Sequence, residues 1–260
     1  MARRATGGRA AKRTATGAPA KPAGARAGTR SPAPAVATAA RPRRMSPQAR
    51  ERAIVAGAIK FFAERGFGGD TRELAKRLGI TQPLLYRYFP SKRALVERVY
   101  REVFLDRWNP QWEVWLSDRT QPLQARLARF YKDYTRTIMD HDWIRLFLLS
   151  GLENVAINRR YLKMMHARIW SRVVDEIRHA SGRPSIARVP PSETEVELVW
   201  GVVAAIFYIG VRRWVFGFGV PDDLDLVIED KVKAFLEGAP AAMAAPAGGR
   251  RRAREQVTGL

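Results

Sequence analysis

The sequence predicts an all-α protein, and three observations predict it. Apolar residues recur three and four positions apart: Ile54, Ala58, Phe61 and Phe62, then Leu95, Val96, Val99, Val103 and Phe104, then Tyr161, Met165, Ile169, Val173 and Ile177. That is the period at which side chains share one face of an α-helix. No alternating apolar and polar stretch of useful strand length appears. Residues that interrupt helices separate the periodic segments, at Pro110, Pro122, Gly151, Gly182 and Pro190-Pro191. The segments fall into a small N-terminal unit and a larger helical one.

Ser46-Pro47 offers an N-cap followed by proline at the first helical position, which starts a first helix that ends near Gly66. Asp70-Thr71-Arg72-Glu73 has the form of a capping box, with Leu74, Ala75 and Leu78 behind it, and predicts a short second helix closed by Gly79. Thr81 caps a third, where Pro83 sits in the first turn and Leu84 and Leu85 face inward, up to Phe89-Pro90. Two short helices joined by a Gly-containing turn make a helix-turn-helix. Ser91 then caps a longer helix, and Leu123, Leu127, Phe130, Tyr131, Tyr134 and Ile138 mark another. The last two long helices are placed at Glu193 to about Gly217 and at Asp222 to Glu237.

Charge is unevenly spread. Of the formal net charge of +21, residues 1–44 hold 11 Lys/Arg and no acid, and residues 239–260 hold four Arg against one Glu, so residues 45–238 carry only +7. Both ends are rich in Ala, Gly, Pro and Arg, and too poor in large apolar side chains to offset the entropy of ordering, so they are read as disordered. The N-terminal arm lacks the apolar core of a secretory signal and suits either polyanion binding or plain solubilisation. Zero cysteines exclude disulfides, thiolate metal sites and cysteine nucleophiles. His141, His166 and His179 show no metal-ligand spacing, and no catalytic residue, metal site or cofactor is expected. The longest apolar run, Leu198 to Val211, is fourteen residues, short for a bilayer, which favours a buried helix over a membrane span.

On the third helix, a period of 3.6 turns Leu85 and Phe89 toward the core, while Gln82, Pro83, Tyr86 and Arg87 look outward. In a DNA major groove an amide bonds adenine, an apolar group meets a thymine methyl, and a guanidinium takes guanine or phosphate. Tyr hydroxyls and lysines fix register on phosphates. Lys92 and Arg93 stand in the first turn of the next helix, where the macrodipole disfavours positive charge and a nearby phosphate would reverse that cost.

The run "GFGGDTRELAKRLGITQPLLYRYFPSKRAL", Gly66 to Leu95, resembles the DNA-binding signature of the tetracycline-repressor (TetR) family of bacterial regulators. The resemblance covers about 50 residues, from Ser46 onward. It implies a double-stranded DNA operator, a homodimer, a variable C-terminal ligand domain, and repression relieved by a small-molecule effector. Carried over by motif, Gln82, Pro83 and Leu84 approach base edges, Thr71, Tyr86, Tyr88 and Lys92 contact phosphates, and Arg87 joins either set. One residue fewer than the common pattern separates Gly66-Phe67 from Leu74-Ala75, which leaves open whether Thr71 or Asp70 caps the second helix. The domains are then a disordered basic arm (1–44), the helix-turn-helix domain (45–92), a regulatory and dimerisation domain (93–238) and a disordered tail (239–260).

The same resemblance assigns the last two long helices to a dimer interface, with Gly201, Ala204, Ala205, Gly210, Tyr208 and Trp214 as its residues; a buried core helix has the same pattern. An effector pocket is expected among the middle helices, at Trp112, Trp143, Phe147, His166 and Trp170, for an apolar or aromatic molecule. Asp142, Arg145 and Glu153 lie nearby and suit either ligand orientation or plain exposure. The reading is a cytoplasmic, nucleoid-associated regulator without a membrane partner. The alternative is an architectural DNA-binding protein that uses its basic tails.

Overall fold

The computed structural model describes residues 45–244, so the arm and most of the tail lie outside the described residues. Within them the chain forms helices and loops: α1 (Pro47–Arg65), α2 (Thr71–Arg77), α3 (Gln82–Tyr88), α4 (Lys92–Tyr100), α5 (Gln111–Ser117), α6 (Leu123–Ile138), α7 (His141–Leu152), α8 (Ile157–Met165), α9 (Ser171–Ala180), α10 (Glu193–Trp214) and α11 (Leu224–Ala244). Two five-residue π-helical segments, Arg101–Leu105 after α4 and His166–Trp170 between α8 and α9, carry Phe104 and Trp170 into the core.

Side-chain caps set the early boundaries. Ser46, Thr81 and Ser91 accept from Ala49, Leu84 and Ala94 N–H, each filling one of the donors a helix start leaves open. At α2 the cap is Asp70, which accepts from Arg72 N–H. Glu73 does not close a capping box; it pairs with Arg65 and Arg77. Gly79 takes the turn between α2 and α3 at φ +63°, a conformation that costs glycine little.

α1 packs on α4 and α7, α2 on α3, α6 on α5 and α11, and α10 on α7, α9 and α11. Glu193–Trp214 is long and apolar enough to cross a membrane, but its Val199, Val202, Val203, Ile206 and Ile209 are buried against those neighbours, as in a core helix. α10 ends at Trp214, short of the expected Gly217. A Cβ at Gly210 would collide with Met139 and Ile144, so this glycine serves the packing of α10 on α7 within the chain rather than an interface. The segment read as a tail also begins too early. α11 runs six residues into it, through Pro240, because Ala239 and Met243 are buried and hold that turn against the core.

Two buried ion clusters brace the larger unit. Arg178 and Glu195, 4% and 3% exposed at the side chain, form a fork in which Arg178 Nε donates to Glu195 Oε1 at 2.9 Å. Arg178 also donates to the carbonyls of Pro184, Val189 and Pro190, which ties the loop before α10 to α9. Glu195 completes a capping box with Ser192. The Arg178 and Ser192 hydrogen bonds outweigh burial and hold its carboxyl down at about 2. In the second cluster Glu176 accepts from Arg119 and Arg126; burial pushes its carboxyl up, and the two guanidiniums more than reverse that.

Candidate nucleic-acid interface

The outward face of α3 is built from short-range rules. Leu85 and Phe89 are 1% and 6% exposed and anchor the helix, and Leu84 and Tyr88 are half-buried. Pro83, Tyr86 and Arg87 are exposed, and Gln82 and Lys92 are partly so. The local acids already have partners: Glu64 and Glu73 hold Arg77, Glu51 holds Arg98, and Glu97 holds Arg160. Arg72, Lys76, Arg87 and Lys92 are left without a carboxylate within salt-bridge distance among the described residues. The surface is therefore cationic where it is open, as a polyanion partner requires.

Thr71 differs from its neighbours. It is buried at 7% exposure, and its hydroxyl lies 3.0 Å from the Tyr86 hydroxyl and accepts from Gln82 Nε2 at 3.1 Å. Three residues that the sequence assigned separately to bases and phosphates are joined to one another. With Asp70 as the cap, the Thr71 hydroxyl is free for this link.

Residues 54–99 match the family model described as bacterial regulatory proteins, tetR family. Residues 54–99 thus form a domain of the TetR type. The match to the HTH-type transcriptional regulator RutR of Escherichia coli K12 is 32% identical over 101 residues, 38% of this chain and 40% of that protein. A TetR-like transcriptional regulator from Rhodococcus sp. RHA1 superposes with a TM-score of 0.56 at 17% identity, over 75% of this chain and 100% of that one. An HlyIIR mutant protein superposes at 0.53 and 18%, over 72% and 98%. The fold outside the TetR-type domain is thus the fold of these regulators.

In the larger unit, Trp143, Phe147 and Trp170 line one cavity of about 110 Å³ with Tyr134, Tyr161, Trp200 and Phe207. Trp143 stacks on Phe147 at 5.1 Å between ring centres, and Trp170 lies 4.4 Å from Trp200. Both π-helical segments supply this region: Trp170 is a wall, and Phe104 packs on Trp143 and Tyr161. Tyr161 donates to Tyr134 at 3.3 Å. Burial pushes the Tyr134 phenol up to about 12 and Tyr161 well above the ordinary range, so both stay neutral. The buried Trp170 Nε1 has no acceptor among the described residues.

Other expected pocket residues are elsewhere. Trp112 is buried against Trp108 and Phe130 and donates to Asp133 at 2.7 Å. His166 is exposed. Arg145 donates to Ala63 O at 2.6 Å, and Glu153 accepts from Gly68 N–H at 2.7 Å, so both tie α7 to the end of α1 and the loop after it. Periodicity could not reveal this, because the partners are 82 and 85 positions apart. Of the expected interface residues, Gly201, Ala204, Ala205 and Tyr208 are exposed on α10, and Trp214 donates to Met139 O within the chain.

Proposed function

We infer that this protein is a sequence-specific DNA-binding transcriptional regulator, a homodimer released from its operator by a small uncharged effector. The carrying observation is the open face of α3, an amide, a phenol and unpaired cations on a rigid helix-turn-helix. Gln82 with Pro83 and Leu84 meets base edges, Tyr86, Tyr88 and Lys92 meet phosphates, and Arg87 meets either. The exposed Gly201, Ala204, Ala205 and Tyr208 supply a close-packing surface for a second copy, which would place two such helices on one operator.

The aromatic cavity supports the effector. It presents no ionised group, and its volume of about 110 Å³ approaches the ~150 Å³ of an apolar cavity that holds benzene. α7 links the two sites. Trp143 and Phe147 face the cavity while Arg145 and Glu153 hold the TetR-type domain, so a ligand that moves α7 also moves α1.

Selection of duplexes from a randomised library tests the reading, with light scattering for mass. A shared consensus bound by a particle of twice the chain mass is expected. Bound duplexes without a consensus would favour the architectural alternative, driven by the 11 basic residues of 1–44. For the effector, Val203→Phe, at a further wall of the cavity, should fill it and abolish release by a panel of neutral monocyclic aromatics while leaving operator binding intact. Release that survives this change would place the effector elsewhere.

A further inference from the structure

We propose that Thr71 is a positioning residue that makes base reading by Gln82 conditional on phosphate contact by Tyr86. The proposal rests on the DNA-reading role assigned above and extends it to the way the two contacts communicate. Its basis is the chain of hydrogen bonds Gln82 Nε2 to Thr71 Oγ1 (3.1 Å) and Thr71 Oγ1 to Tyr86 Oη (3.0 Å), centred on a buried residue.

Each hydroxyl has one proton to donate. A phosphate oxygen only accepts, so Tyr86 must use its proton to hold one. Tyr86 then has none for Thr71, and Thr71 must donate to Tyr86. Thr71 can now only accept from Gln82, which fixes the amide with one N–H turned inward. The order runs from Gln82 N–H to Thr71, from Thr71 O–H to Tyr86, and from Tyr86 O–H to phosphate, each bond polarising the next. This state leaves the Gln82 Oε1 and one N–H free, the acceptor and donor that match adenine N6 and N7.

The opposite order, with the amide turned over from the orientation described above, is also self-consistent without a phosphate. Tyr86 donates to Thr71, Thr71 donates to Gln82 Oε1, and the amide turns its NH₂ outward, offering only donors. Such a side chain suits the guanine N7 and O6 acceptors instead. The two orders exclude each other, because Thr71 has a single proton. A phosphate seated on Tyr86 therefore selects the adenine-reading amide.

The test compares wild type with Q82A, T71V, T71S and Y86F in selections from a randomised duplex library, with thermal melting as a folding control. The position whose preference disappears in Q82A is the one read by Gln82. Wild type should prefer adenine over guanine there by about tenfold, the value of a modest bidentate discrimination. T71V and Y86F should bring that preference to within about twofold, whereas T71S, which keeps the hydroxyl, should retain it. Y86F changes an exposed side chain and keeps the test open if T71V fails to fold. An unchanged adenine preference in T71V or Y86F, with binding weakened evenly across sequences, overturns the proposal. So does a Q82A selection identical to that of wild type. A wild type that selects no consensus instead overturns the DNA-reading role beneath it.

Discussion

Thr71, Gln82 and Tyr86 lie within fifteen positions of one another, whereas the cavity walls Tyr134, Trp143, Tyr161, Trp170 and Trp200 come from five separate helical segments. The first site is polar, open and carried by two short helices whose core side is Leu74, Leu85 and Phe89. The second is aromatic and continuous with the core. Substitutions at the first should therefore register in binding with little change in melting, and those in the larger unit chiefly in stability. The contrast also separates what local pattern can specify from what needs the whole chain.

The largest effect is expected far from the open face. Glu195→Ala leaves Arg178 buried and unpaired and should cost about 3–5 kcal/mol, seen in chemical denaturation of the full chain. Acid should do the same more gradually. The folded carboxyl sits at about 2 against an ordinary 4.5; stability from this pair is therefore complete above pH 4.5 and is lost as pH falls toward 2. A melting temperature independent of pH across that window would show that the pair does not brace the fold.

Gln82→Ala comes next and probes the other side of the contrast. It should weaken operator binding by about 1–3 kcal/mol and scrambled DNA little, with melting within about 0.5 kcal/mol of wild type. A large loss of stability would make the open face part of the core and erase the distinction. Lys92→Ala should weaken operator and scrambled duplex alike and lower the salt slope of binding by about one. Loss on operator alone would make Lys92 a base reader.

Glu153→Gln sharpens the comparison at the join between the two regions. It keeps the shape and removes the charge from the acceptor of Gly68 N–H, which should cost about 1 kcal/mol. Faster hydrogen exchange at the Gly68 amide is the readout, and unchanged exchange would remove Glu153 as a tie between α7 and the TetR-type domain. The smallest effect is placed one residue further on. Asn154 has φ +58°, where glycine is the easier residue, so Asn154→Gly should change stability by less than about 1 kcal/mol, in the stabilising direction. A clear destabilisation would mean the Asn154 side chain holds the loop between α7 and α8.

The helix-turn-helix was legible because its determinants are near neighbours: Ser46, Thr81 and Ser91 each cap within three residues, and Leu85 and Phe89 are one turn apart. α5 and α7 were less legible. Their tryptophans suggest core without saying which wall each joins, so Trp143 and Trp112 looked alike and face different partners. Arg145 and Glu153 suited either ligand orientation or plain exposure, because nothing in their own segment reveals Ala63 or Gly68.

By itself, then, the sequence determined the all-α class, the starts of α1, α3 and α4 and the outward face of α3, since capping, the 3.6-residue period and proline's missing N–H act within a turn or two of chain. Only the tertiary structure decided that Asp70 and not Thr71 caps α2, freeing the Thr71 hydroxyl for Gln82 and Tyr86. It also decided which aromatics enclose the cavity, that Gly210 seats α10 on α7, and that α11 continues through Pro240 to Ala244. The cavity, the seat of Gly210 and the length of α11 depend on side chains brought together from distant segments, where burial outweighs the local preference that a sequence pattern records.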